Sequence, residues 1–297
     1  MPRFGNIILL EHTKMKRLFI LITAVLLPLL AGAQAQINTK KVKIADFTEK
    51  TTKVVLTGNE FYDLKLRKEI AAGWTLSPYE FCTLDEFNSL RTSDNHYFLL
   101  TVDGQFKKEN GPGITFLTLV KGGEGAAEGI SRMLEIVSLP IASVEDPSGR
   151  EFVFMPAFID IIQDYTEASM SRDINGYMGL MSNTESFKTC PNAELVFAEC
   201  DLAPDVDRAF RDLNFDSDML AMDEDDADDK MAEYAPETIV SYVVAPAEPT
   251  TGSYCYKMLI HPETHKLYYF RKHKISKKYG AGFLQEDILR INKQRGR

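Results

Sequence analysis

An alternation of strand-type and helix-type segments between residues 41 and 171 constrains the fold of this chain most strongly. Short stretches that alternate apolar and polar side chains indicate strands, and apolar spacing of three and four indicates helices. Read in order, the segments predict β-α-β-α-β-β-β-α, with a first strand over 41–47 and a last helix over about 151–171. We therefore expect an α+β or three-layer α/β fold with a mixed sheet and amphipathic helices.

The carboxy-terminal segment, residues 238–297, returns to a clear pattern after a long acidic stretch. It predicts one strand, a β-hairpin around Pro262 and His265, and a closing helix. We expect these elements to pack on the sheet of an α/β domain over 36–193, or to form a small second lobe. No repeat with a period of 20–50 residues is visible.

The amino terminus has the pattern of a secretory leader. Lys16 and Arg17 precede an apolar run over 18–30, and small residues around Ala33 and Ala35 supply a cleavage site. A run of about 13 residues is shorter than the roughly 20 needed to span a membrane, although an uncleaved anchor stays an alternative. We interpret 1–14 as an overcalled gene start and 15–35 as a signal peptide. The mature chain is then exported, to the periplasm or the cell exterior, with no transmembrane segment.

Charge is strongly segregated along the chain, whose formal net charge is −9. Residues 194–237 hold sixteen acidic residues against three basic ones, a net charge of −13, whereas residues 254–297 have a net charge of +8. Because a dense acidic run repels itself and stays solvated, we predict that 194–237 is an acidic insert or linker.

The basic carboxy-terminal segment is the predicted binding surface. Its cationic side chains are interleaved with aromatic ones, and the six residues predicted to bind are Arg271, Lys272, His273, Lys274, Lys277 and Lys278. The expected partners are an envelope protein, a glycan or an anionic headgroup, or the chain's own acidic segment. Nucleic acid is excluded as a partner because the chain is expected to be exported and the neighbouring segment is acidic.

The four cysteines are too few for a disulfide-dense scaffold, and export would permit bridges between them. Cys190 and Cys200 are ten residues apart, and we predict that they form a disulfide across a loop. Cys82 and Cys255 fall in predicted strands, where they are expected to be small buried residues. The residues alone leave all three pairings open.

Catalytic and metal-binding motifs are absent from the sequence, so we predict no catalytic residue, no metal and no cofactor. Residues 212–223 resemble an EF-hand loop, but Ser217 and Asp223 replace the required Gly and Glu. The glycine-rich stretch 121–129 is expected to be a loop between strands. Two further pairs, Asp160 with Asp164 and His261 with His265, are expected to face solvent.

Several motifs resemble a group of uncharacterised exported proteins of Bacteroidota. They include Ile44-Ala-Asp-Phe-Thr48, Ser77-Pro-Tyr-Glu-Phe-Cys-Thr83, Asp146-Pro-Ser-Gly-Arg-Glu151, Val243-Val-Ala-Pro246, Gly252-Ser-Tyr-Cys-Tyr-Lys-Met-Leu-Ile260 and Leu267-Tyr-Tyr-Phe-Arg-Lys-His273. The resemblance covers most of the mature chain and implies no activity or site residue. The order of elements is also similar to the amino-terminal α/β domains of TolB and the curli secretion protein, which serve assembly at the envelope.

These observations favour a non-enzymatic envelope binding or assembly protein. The leader, the opposed charge blocks and the lack of catalytic motifs carry this expectation. The competing interpretation is a periplasmic hydrolase whose site leaves no linear motif, so the sequence leaves open whether the chain is an enzyme. A pocket with convergent Asp, His or Cys side chains would favour the hydrolase.

Overall fold

A computed structural model describes residues 44–106, 109–171 and 179–297. The predicted leader lies outside these residues. The first sheet and its helices comprise β1 Thr51–Val55, α1 Glu60–Gly73, β2 Tyr79–Cys82, α2 Leu84–Leu90, β3 His96–Gly104, β4 Ile114–Lys121, β5 Leu134–Ser143 and α3 Arg150–Ser171. The second sheet and its helices comprise β6 Glu194–Ala198, α4 Arg208–Asn214, β7 Met219–Met222, α5 Glu224–Ala232, β8 Thr238–Val244, β9 Tyr254–Ile260, β10 Leu267–Lys274 and α6 Gln285–Arg295.

Both sheets are mixed and have the same topology. The strand order is β2-β1-β3-β4-β5 in the first and β10-β9-β8-β6-β7 in the second. Strands β1 and β6 each lie between two parallel neighbours, and the last three strands of each sheet are antiparallel. The predicted α+β class and β-α-β-α-β-β-β-α order are confirmed, and the order occurs twice. We call residues 51–171 the first unit and residues 194–295 the second unit.

Residues 194–237 are not a linker, which corrects the sequence-based interpretation. They contribute β6, α4, β7 and α5, and β6 is the middle strand of the parallel part of its sheet. Strand β6 is almost entirely apolar and buried, and Ala227 and Met231 bury one stripe of the acidic α5. Residues 238–297 therefore complete this sheet rather than forming a small lobe of their own.

Local sequence signals explain several element boundaries. Asn59 caps α1 by accepting from the backbone N–H groups of Phe61 and Tyr62. Thr83 and Glu86 form a capping box at the start of α2. The predicted first strand is displaced, because the described part of 41–47 is a turn followed by a 3-10 helix, and β1 begins at Thr51.

The two units share one apolar core. Helix α3 packs on β5 and α1 of the first unit and on α5 of the second. Phe154 of α3 contacts Tyr242 of β8 with ring centroids 4.5 Å apart, and the Tyr242 hydroxyl donates to the Ile141 carbonyl of β5 at 2.5 Å. Helix α3 is thus the element that joins the sheets. None of the helices in the described ranges is long and apolar enough to cross a membrane.

Candidate functional site

A groove of about 780 Å³ lies between helices α1, α3 and α5, where the two units meet. Its volume falls in the range of roughly 300–1,000 Å³ that is common for small-molecule sites. The walls come from both units and are mainly apolar: Phe61, Ala72, Phe152, Val153, Pro156, Met231 and Ala232. Since small molecules commonly bind in concave, apolar sites at domain interfaces, this groove is the candidate functional site.

The α1 wall exposes large apolar side chains to solvent. Leu66 and Ile70 of α1 are buried in the shared core, whereas Phe61 is 83% exposed and Leu64 is 69% exposed. Phe61 and Leu64 lie outside the buried stripe of α1, so this helix has apolar side chains on two of its sides. Exposed apolar surface beside a groove is typical of binding sites.

His265, one of the groove-lining residues, pairs with a carboxylate on α3. His265 lies in the turn between β9 and β10, and its Nδ1 is 2.6 Å from Asp160 Oδ2 on α3. One helical turn further on, Lys266 Nζ is 2.6 Å from Asp164 Oδ2. The expectation that Asp160 and Asp164 only face solvent is therefore wrong, because both bind the hairpin turn of the other unit.

His265 is held in a strained backbone conformation. Its φ is 55°, in the left-handed region that non-glycine residues seldom occupy, and it lines the groove. Tyr234, which also lines the groove, has a φ of 56°, and its ring centroid is 5.8 Å from that of His265. Strained residues of this kind cluster at functional sites. The prediction that His261 and His265 are surface residues is wrong, since they are only 5% and 9% exposed.

The second ring nitrogen of His265, Nε2, is buried and unpaired among the described residues. In the tautomer that has its proton on Nδ1, this nitrogen donates the hydrogen bond to the Asp160 carboxylate and Nε2 is an acceptor. No serine, threonine or cysteine of the described chain bonds to Nε2, and the pair therefore lacks the nucleophile of a hydrolytic triad.

The basic carboxy-terminal residues do not form one surface. Along β10, Arg271 and His273 turn towards α6, and His273 Nε2 lies 2.7 Å from the Gly280 carbonyl. Lys272 and Lys274 lie on the other face, with their ammonium groups 5.1 and 5.5 Å from the Tyr254 ring centroid. The remaining two patch residues, Lys277 and Lys278, are exposed in the turn that follows. The structure thus brings together only part of the predicted patch.

Ion pairs join the acidic segment to the basic end of the chain at other residues. Arg295 lies 3.0 Å from Asp216, and Arg297 pairs with both Asp216 and Asp218. These aspartates belong to the EF-hand-like stretch, where their oxygens contact guanidinium groups. No group of three or more candidate metal-ligating side chains occurs within the described ranges.

The predicted Cys190–Cys200 bridge is not present, and all four cysteines are free thiols. Strand β6 separates the two residues, and five residues of strand span roughly 16 Å. A disulfide requires Cα atoms within about 7 Å. Cys200 instead donates to Glu224 at 2.8 Å, and burial together with Asp201 raises the pKa of its thiol, which makes it a poor nucleophile.

A buried ionic cluster lies at the carboxyl end of β6. Arg150 contacts Asp201 through Nη1 and Asp228 through Nε, each at 2.9 Å, and donates to the Ser241 carbonyl at 3.2 Å. The Ser241 hydroxyl donates to Asp201 at 2.6 Å. Every described polar group of this cluster is paired within the protein, which favours a structural role over ligand binding.

The chain matches no protein-family model, no curated protein and no solved structure. The groove and its side chains are therefore the basis for assigning a function.

Proposed function

We propose that this protein is a non-enzymatic binding protein that holds a small, largely apolar molecule in the groove between its two units. One observation carries the proposal, namely the 780 Å³ groove with apolar walls from both units. Burial of apolar surface supplies roughly 25 cal/mol per Å² on binding, and Phe61 is positioned to provide such surface. The leader pattern supports export, so we place this activity in the periplasm or at the cell exterior.

The second candidate is the hydrolase, and the Asp160–His265 pair favours it. A histidine oriented by a carboxylate is the base of many hydrolytic sites, where it activates a neighbouring hydroxyl or a water molecule. Binding is supported better because Nε2 has no nucleophile partner in the described part of the chain. A water molecule could serve instead, and the experiment therefore includes an activity measurement.

Titration with the apolar fluorophore N-phenyl-1-naphthylamine tests the proposal. We expect saturable binding that Phe61→Asp weakens about tenfold, since a loss near 1.4 kcal/mol is less than the burial of one Phe side chain. Leu213→Asp is the matched control, because Leu213 is 85% exposed on α4 and does not line the groove. Absence of saturable binding, or equal losses in both variants, would refute the proposal.

A parallel assay with p-nitrophenyl esters separates the two candidates. A binding protein gives the same hydrolysis rate with the wild-type chain and with His265→Asn, a residue that tolerates a positive φ. Saturable turnover in the wild type that is lost in this variant would replace the binding proposal by the hydrolase.

A further inference from the structure

We infer that the ligand of the groove is an anionic amphiphile, a single apolar chain with a carboxylate or phosphate head group. This inference rests on the proposed function and names the class of ligand. It is argued from the charged side chains of the groove wall, which the proposed binding of an apolar molecule does not use.

The charged side chains of α1 that line the groove have a net positive charge. Besides His265, the charged side chains that line the groove are Lys65, Lys68 and Glu69, all on α1. Two ammonium groups therefore face one carboxylate, in a chain whose formal net charge is −9. Because the overall charge of the protein repels anions, a positive wall inside the groove favours an anionic head group at this position.

The carboxylate of the wall is already engaged. Glu69 is 9% exposed, and its Oε1 lies 2.9 Å from Lys65 Nζ. A cationic head group would have to displace Lys65 from this contact, which argues against a cationic amphiphile. Lys68 Nζ lies 3.9 Å from the same oxygen, and the Lys68 side chain is 76% exposed. The Lys68 ammonium group is thus the cation with the greatest freedom to meet a ligand.

The apolar walls determine the rest of the ligand. Phe152, Val153, Pro156 and Met231 line the groove beside the charged residues of α1. A molecule that contacts both kinds of surface must combine an apolar body with a charged end. A small inorganic anion would leave the apolar walls uncovered, and a hydrocarbon would make no ion pair with the Lys68 ammonium group.

Competition against bound N-phenyl-1-naphthylamine tests the inference with four ligands of equal chain length: decanoate, decyl phosphate, decanol and decylamine. We expect the two anions to displace the probe at lower concentration than decanol, and decylamine to be weakest. Preference between decanoate and decyl phosphate distinguishes the two head groups. If decanol or decylamine displaces the probe at the same concentration as the two anions, the inference is overturned.

The variant Lys68→Gln supplies the residue-level test. An exposed ion pair contributes up to about 1 kcal/mol, so we expect about fivefold weaker binding of the preferred anion and unchanged binding of decanol. Lys293→Gln on α6 is the matched control, since Lys293 is exposed on a helix and does not line the groove. Unchanged anion binding in Lys68→Gln would refute the role of the positive wall. Failure of the probe itself to bind would instead refute the proposed function.

Discussion

Arg150 and Asp228 form a buried ion pair that joins the two units. The guanidinium Nε of Arg150, the first residue of α3, lies 2.9 Å from the Asp228 carboxylate on α5. The same guanidinium contacts Asp201, so one cation lies between two carboxylates, and the Arg150 side chain is 5% exposed. Without the Arg150 guanidinium, the carboxylates of Asp201 and Asp228 would repel each other with no compensating positive charge.

The variant Arg150→Met is expected to lower the free energy of unfolding by about 3–5 kcal/mol, the usual effect of breaking a buried ion pair by removing one partner. Urea denaturation followed by circular dichroism measures this change. Arg211→Met is the control, because Arg211 pairs with the half-exposed Glu199 and should contribute less than about 1 kcal/mol. Equal losses in the two variants would contradict the buried role of Arg150.

Asp228 should make stability depend on pH. Burial raises the pKa of its carboxyl from the ordinary value of 3.8 to about 6, despite the opposing effect of Arg150. The protonated Asp228 carboxyl therefore stabilises the fold fully below about pH 4, and this contribution is lost as the pH rises through 6. The neutral variant Asp228→Asn does not undergo this loss.

We therefore expect the free energy of unfolding of Asp228→Asn, relative to the wild type, to rise between pH 4 and pH 7.5 by an amount on the order of 1–3 kcal/mol. Urea denaturation at both pH values gives the difference. The exposed neighbour Asp226, replaced by Asn, is the control and should show no such rise. A relative stability that falls over this interval would show that the carboxylate, not the acid, is favoured in the fold.

Glu237 offers a test of stored backbone strain. Its φ is 49°, and its side chain is exposed in the turn before β8. Because a left-handed conformation costs a non-glycine residue roughly 1 kcal/mol, we expect Glu237→Gly to raise the thermal midpoint by several degrees. Glu248→Gly is the control at a residue without a positive φ, where glycine should be neutral or destabilising. A lower midpoint for Glu237→Gly would count against strain at this residue.

The thiols can be counted by reaction with 5,5′-dithiobis(2-nitrobenzoic acid). We expect Cys190 to react in the native protein, Cys200 to react more slowly because its thiol donates to Glu224, and all four thiols to react in guanidinium chloride. Cys82 and Cys255 are buried, and burial raises the pKa of each thiol to about 11, so both should be protected until the protein unfolds. If only two thiols react after unfolding without reductant, a disulfide has formed.

The sequence predicted the first unit well and misjudged the second. Helix α5 shows why, because five of the nine residues in Glu224–Ala232 are acidic, which favoured a solvated linker. Two buried side chains one turn apart, Ala227 and Met231, are enough to fix this helix on its sheet. Acidic residues in its first turn also favour the helix, since they face the positive end of the helix dipole. Charge density alone therefore obscured a narrow apolar stripe.

The groove could not be predicted because its residues come from distant parts of the chain. Asp160 and His265 are 105 residues apart, and only the packing of α3 against the second unit brings them together. One local signal was available: Phe61 and Leu64 of α1 lie outside the stripe that contains Leu66 and Ile70. A helix with apolar residues on a second side indicates either another buried surface or a binding surface.

The two units differ in what covers the corresponding sides of their sheets. The contact between the units is heterologous, because it joins different surfaces: α3 of the first unit packs against the α5 side of the second. The corresponding α2 side of the first unit is covered by its own loop between β4 and β5, which buries Ala126 and Met133. In the second unit this connection is shortened to the turn that carries His265. The longer loop of the first unit thus packs on the side that corresponds to the α5 side contacted by α3 in the second unit.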